Sequence, residues 1–194
     1  KTIYTKFKLD AKNETLTVST KQKISGNLKL CIEFTGILND RLLGFYRSKY
    51  TNPNGKTKYV ATTQFEAADA RRAFPCVDEP SAKAAFNVTL IVPSDRIAIS
   101  NMPVAKKNTV AGGKRAVYTF DPTPIMSTYL LALVVAEFDY ISIMTENQVR
   151  TSVYTPKGKT HLGQHAMHVA SKALPFFEEM FQIKYPLAKS DLLA

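Results

Sequence analysis

With 194 residues, 45% of them hydrophobic and 22% charged, the chain is long enough to bury a real core and is not disordered by composition. Its formal net charge of +10 raises nucleic acid and anionic membranes as partners, and residues 1–60 alone carry twelve Lys and Arg against four acids. Those lysines alternate with apolar residues, as in Lys6, Lys8 and Lys12 or Lys21, Lys23 and Lys29, and form no block of five like charges, so they read as the solvated face of strands and neither partner is expected.

To about residue 156 the dominant period is two. Tyr4 to Leu9, Leu16 with Val18, and Leu28, Leu30, Ile32 and Phe34 alternate with other residues, which predicts half-buried strands. Leu42 to Tyr50 and Lys56 to Gln64 flank Asn52-Pro53-Asn54-Gly55, whose Asn-Gly step accepts the positive φ angles of a turn, so a long hairpin is expected. Further strands are predicted at Phe86 to Val92, ended by Pro93, at Ile97 to Ile99, and at Ala116 to Phe120 after Gly112-Gly113. Tyr129 to Phe138, apolar without alternation, reads as a strand covered on both faces, and Val149 to Tyr154 completes the set. Many short strands between turn signals predict a mainly β fold, an antiparallel sandwich or saddle.

The period then changes. Leu162, Ala166, Val169, Ala170, Ala173, Leu174, Phe177 and Phe181 recur at three and four residues, which predicts an amphipathic helix of about 20 residues with a kink or join at Pro175. Thr155-Pro156-Lys157-Gly158 is the expected boundary, giving domains at 1–156 and 157–194. Asp191-Leu192-Leu193-Ala194 begins an apolar strand with no partner in view, so the C-terminus reads as a truncation. Cys31 and Cys76 are too few for a disulfide framework and read as free thiols or one isolated bridge. The first twenty residues hold no apolar signal core, and the longest apolar run, Tyr129 to Ala136, is far short of the ~20 residues of a membrane helix. A leader or anchor upstream of Lys1 stays open. Asn13-Glu14-Thr15 and Asn87-Val88-Thr89 are glycosylation triplets, and Asn87 is expected to point outward between inward Phe86 and Val88.

The stretch Thr63-Gln64-Phe65-Glu66-Ala67-Ala68-Asp69-Ala70-Arg71-Arg72-Ala73-Phe74-Pro75-Cys76-Val77-Asp78-Glu79-Pro80, continuing through Lys83 and Phe86, resembles the signature loop of the gluzincin zinc aminopeptidases, the aminopeptidase N type. The upstream run Phe34-Thr35-Gly36-Ile37-Leu38-Asn39-Asp40, with Gly44-Phe45-Tyr46-Arg47, is most similar to the puromycin-sensitive branch, and Tyr185-Pro186-Leu187 with Lys189, Asp191 and Leu192 follows in the family's order. The resemblance implies an amino-terminal β saddle domain that docks on its own thermolysin-like catalytic domain, whose first elements would be residues 157–194. It also implies a parent enzyme that removes amino-terminal residues from peptides, holds zinc through a His-Glu-x-x-His segment and a distant Glu, and works in the cytosol. Those zinc-holding segments are absent here, so the fragment is expected to bind no zinc and to be inactive alone.

Within the loop, the resemblance assigns Gln64 and Glu66 to the substrate's free α-amino group. The chemistry fits, because an exopeptidase must tell a terminal ammonium from an internal amide, and a carboxylate with a neighbouring amide oxygen does so by charge and direction together. The plainer reading pairs Glu66 with Arg71 or Arg72. Arg71, Arg72, Asp78, Glu79 and Lys83, crowded around Phe74-Pro75, are expected to hold the loop's shape. His161, His165 and His168 include an i, i+4 pair that could chelate an ion, but Leu162 stands where the zinc motif needs Glu, so a solvated helix face is expected. The rival to the peptidase reading is a non-catalytic interaction or scaffold module of the same fold.

Overall fold

The computed structural model describes residues 5–194; Tyr4, where the first predicted strand opens, lies outside them. β1 (Lys6–Asp10) and β2 (Thr15–Ser19) form an antiparallel hairpin whose turn is closed by the Asp10 carboxylate, which accepts from the backbone amides of Lys12 and Asn13. The strand expected at Leu28 to Phe34 does not form. Residues 27–38 hold no regular element, and Leu28, Leu30 and Phe34 are more than half exposed. Alternation is only the side-chain half of a strand; the other half is a neighbour for the backbone, and this segment reaches one only where Asn39 bridges Tyr46.

β3 (Gly44–Thr51) and β4 (Thr57–Gln64) make the long hairpin, in register from Gly44 opposite Gln64 to Thr51 opposite Thr57. At its tip the Asn52 side-chain oxygen accepts from the amides of Asn54 and Lys56, and Gly55 takes φ +73°. β5 (Thr89–Pro93), β6 (Ile97–Ser100), β7 (Val104–Val110) and β8 (Arg115–Phe120) follow. β7 is exposed along its whole length and has no apolar alternation to announce it in the sequence. The apolar run from Tyr129 is not one strand: a 3-10 turn at Thr128–Leu130 leads into β9 (Leu133–Ala136), and a new strand, β10 (Phe138–Met144), starts after Glu137. β11 (Arg150–Pro156), α1 (Gln164–Phe181) and β12 (Lys189–Leu193) complete the chain.

Three larger sheets result, ordered β3-β4-β9-β6, β5-β8-β7 and β10-β11-β12. β9 lies between β4 and β6, antiparallel to both, and carries no polar alternation because both its faces are covered: Val134 and Ala136 pack with Ile99 and Phe138, and Val135 packs on the cluster that holds Ala98. The C-terminal strand has a partner after all. β12 runs parallel to β11, with Lys189 opposite Arg150, and α1 supplies the crossover that a parallel pair requires. This sheet therefore spans the division expected at residue 156. α1 has 18 residues with Pro175 inside it, and a 3-10 turn at Thr160–Gly163 precedes it. This 3-10 turn packs so closely on β11 that a Cβ on Gly163 would stand 3.0 Å from the Val153 side chain.

The core is built where sheets meet. Val92, Ala98, Ala116, Tyr118 and Phe120 form one cluster across β5, β6 and β8. Ile99, Val134, Ala136, Phe138 and Tyr154 form a second, which joins the central sheet to the last one. Polar ties reinforce that joint: the Glu137 carboxylate accepts from Lys58 at 2.7 Å and from Arg96 at 2.6 Å. The Lys58 contact, with Arg96 adding to it, holds Glu137 below the usual carboxylate range. A third cluster, around Phe65, Ala70 and Leu131, lies under the loop that follows β4.

That loop also constrains Gly44. It adopts φ +70°, and a Cβ there would fall 2.8 Å from Cβ of Arg72, an atom too near the backbone to swing away. Gly44→Ala is therefore expected to destabilise the chain by more than ~1 kcal/mol, read as a lower urea midpoint at unchanged slope.

Candidate functional site

Gln64 is the last residue of β4, and the strand's alternation carries on for two residues past it. Phe65 turns inward and is 1% exposed, while Gln64 and Glu66 on either side face solvent. The Gln64 Oε1 atom accepts from the Glu66 amide at 3.4 Å, so both polar heads stay on the same stretch of surface. The Glu66–Ala67 peptide is cis. Phe65 is fixed from below by an edge-to-face contact with Phe74 at 6.0 Å, and Phe74 in turn meets Phe86 at 6.5 Å.

The chain leaves this surface by a tight turn. The Phe65 carbonyl accepts from the Asp69 amide at 2.9 Å, and a 3-10 turn at Ala70–Arg72 follows, with Ala70 fully buried. Asp78 closes the loop from the other end. Its carboxylate accepts from the Arg71 amide at 3.0 Å, the Arg71 Nε at 3.2 Å and the Thr128 hydroxyl at 2.7 Å. Burial works against the charge on Asp78, but the Thr128 and Arg71 hydrogen bonds outweigh it and hold its pKa below the usual range. Arg71 also reaches Glu14 at the tip of the first hairpin, at 3.2 Å, and the Arg72 Nε donates to Asp69 at 2.5 Å. Glu66 pairs with neither arginine. Glu79 and Lys83 are exposed; the Glu79 carbonyl accepts from the Ala82 amide, and its carboxylate enters no ion pair among the described residues.

Sequence reasoning missed the outer supports. Thr63 Oγ1 accepts from the Leu133 amide at 3.0 Å, and the Asn101 side chain brackets the same segment, donating to the Leu130 carbonyl at 2.7 Å and accepting from the Ala132 amide at 2.8 Å. Thr128 and Asn101 are separated from the loop by tens of residues and belong to no motif, so no local pattern could have announced them. Cys76 is half-buried beside the loop, and burial pushes its thiol up to about 11, which favours the protonated form at neutral pH.

His161, in the 3-10 turn, and His165 and His168, on α1, are all exposed. Among the described residues no group of three or more His, Cys, Asp or Glu could hold a metal ion. These residues do not fit a zinc site, and no step through a metal is assigned to them.

The fold and the loop define a β domain that presents Gln64 and Glu66 on a braced surface. A family model for the peptidase M1 N-terminal domain matches residues 1–130, and the chain belongs to that family. It is 53% identical over 169 residues to Aminopeptidase M1-A of Oryza sativa subsp. japonica, an alignment that covers 87% of this chain and 19% of the relative. It is 47% identical over 167 residues to the Puromycin-sensitive aminopeptidase of Caenorhabditis elegans, covering 86% and 18%. Against the Alanine/arginine aminopeptidase of Saccharomyces cerevisiae the identity is 48% over 176 residues, covering 90% and 20%. The chain thus spans about a fifth of the length of the curated relatives it matches.

Asp78 supplies a direct test of how the loop is held. Asp78→Ala strands the Arg71 amide and the Thr128 hydroxyl, each worth about 1–3 kcal/mol when buried without a partner, so the unfolding midpoint should fall sharply. Because its folded pKa is depressed, the stability Asp78 contributes is present above its unfolded value near ~3.9 and is lost as pH falls through the lower folded value. Between pH ~4 and that lower value, wild-type stability should therefore decline more steeply than that of Asp78→Ala in acid titrations followed by circular dichroism.

Proposed function

We propose that this chain is the substrate-facing amino-terminal domain of an aminopeptidase, with Glu66 and Gln64 gripping the free α-ammonium of a peptide. The observation that carries the reading is the exposed Gln64 and Glu66 pair flanking a fully buried Phe65. Two polar heads with no ion-pair partner among the described residues are presented on a backbone that the core holds from beneath. A carboxylate left unpaired by two arginines a few residues away is available for a ligand. The ammonium would donate one hydrogen bond to the Glu66 carboxylate and another to the Gln64 oxygen, which fixes both the charge and the heading of the peptide's first residue. An internal amide carries no such charge and would leave the carboxylate unpaired, so the pair discriminates as well as binds.

The catalytic half would cover this surface, with the β10-β11-β12 sheet and α1 as its opening elements and with zinc held by residues outside this chain. Docking would dry the Glu66 carboxylate and strengthen its contact with the ammonium. In that reading the parent enzyme removes amino-terminal residues from peptides, and this chain alone does not.

Glu66→Ala in the full-length protein is expected to reduce kcat/KM on peptides with free amino ends by an amount worth about 2–5 kcal/mol of transition-state binding, with little change in melting temperature because the side chain is exposed. Gln64→Ala should lose less, since it removes a neutral acceptor. An unchanged kcat/KM in Glu66→Ala would refute the assignment.

A further inference from the structure

Lys189 is the most deeply buried cation in the described structure that the proposed grip on the substrate does not use. It is 5% exposed, lies at the start of β12, and reaches out of its own sheet to donate to the Ser100 carbonyl of β6 at 2.7 Å. Its other named partner is Asp191, two residues on in the same strand. Burial pushes the Lys189 ammonium below its ordinary range against the pull of Asp191. The cluster is also incompletely satisfied: Asp191 Oδ1 and Ser100 Oγ have no hydrogen-bond partner among the described residues, and an ammonium has three protons of which two are used by these contacts. A buried ion pair of this kind adds less stability than apolar residues of the same volume would, so its value lies in fixing one arrangement of the parts it joins.

Those parts lead to the candidate site. Ser100 is followed by Asn101, whose side chain holds the segment at Leu130 to Ala132 from one side. Thr63 holds the next residues of that segment from the other side, through the Leu133 amide, and Thr63 immediately precedes Gln64. A branch of the same segment runs through Thr128 to Asp78 and Arg71, and so to the far end of the loop. The path alternates discrete hydrogen bonds between packed elements with single covalent steps along the chain, from Ser100 to Asn101 and from Thr63 to Gln64, the kind of connection that can shift one element when another moves.

We propose that Lys189 is a positioning residue for Gln64 and Glu66: its bond to Ser100 sets where the β10-β11-β12 sheet sits relative to the amine-gripping surface, through Asn101 and Thr63. The proposal rests on the reading that Glu66 grips the α-ammonium. It places the specificity for a free amino end partly in a buried contact remote from the peptide.

The test uses the full-length protein and two competitive inhibitors that differ only in the α-amino group, leucine hydroxamate and its desamino analogue isocaprohydroxamate. The readout is the ratio of their inhibition constants. Lys189→Met and Asn101→Ala should each cut the preference for the amine-bearing inhibitor by about tenfold, the scale of a small misplacement of a binding group. The double variant Lys189→Met with Asp191→Leu removes the charges together and should regain the wild-type melting temperature while the preference stays low. A structural role alone would restore both, and that result overturns the proposal. Should Lys189→Met fail to fold, Asn101→Ala decides, because it cuts the path at a half-buried side chain. A preference unchanged in Asn101→Ala and the double variant, but abolished by Glu66→Ala, overturns the positioning role only. A preference that also survives Glu66→Ala removes the amine-gripping reading, and this inference with it.

Discussion

The buried Asp78 carboxylate is the constraint on which the presented surface depends. A negative charge buried beneath the surface is unfavourable unless its oxygens are met, and the fold meets them with an amide from the 3-10 turn, a guanidinium beside it and a hydroxyl from a segment fifty positions away. Because all three arrive together, the loop closes in one way. Its start is then fixed by Phe65 going inward, and the residues on either side have no choice but to face out. The geometry of the exposed pair is thus inherited from a carboxylate that never touches it.

Much of this could be read from the sequence, and the failures have physical reasons. The β3–β4 hairpin was legible because Asn52 to Gly55 carries its own turn chemistry between two alternating runs. The helix was legible because its apolar residues keep a spacing of three and four over five turns. Leu28 to Phe34 had a strand's side-chain pattern without a neighbour to complete it, while β7 had the neighbour, β8, without the pattern. Both cases show that pairing is a tertiary event, which a one-dimensional periodicity records only when one face happens to be buried. β12 is the clearest instance. Its partner β11 lies more than thirty residues upstream, and nothing local says that the two run in parallel.

The loop tells the same story at the level of chemistry. Charges that cluster in sequence around Phe74-Pro75 do meet in space in part: Arg71 finds Asp78, and Arg72 finds Asp69, which sequence spacing did not single out as its partner. Glu79 shares the cluster but not the network. Thr128, Asn101 and Thr63 were invisible because a hydroxyl or amide reveals its task only when its partner is known. The family signature drew attention to the loop, and the unremarkable polar residues around it explain how the loop is held.

The unladdered stretch from Leu28 to Phe34 has a consequence for how the isolated polypeptide behaves. Its amide and carbonyl groups join no ladder among the described residues, and its large side chains form a greasy ribbon on the outside of the molecule. Such a ribbon is a template for sticking to another copy edge to edge, and the excess positive charge of this end of the chain, Lys29 within the ribbon included, opposes it through mutual repulsion. Salt weakens that repulsion and leaves the greasy contact intact. Colloidal stability should therefore be greatest in dilute, low-ionic-strength buffer.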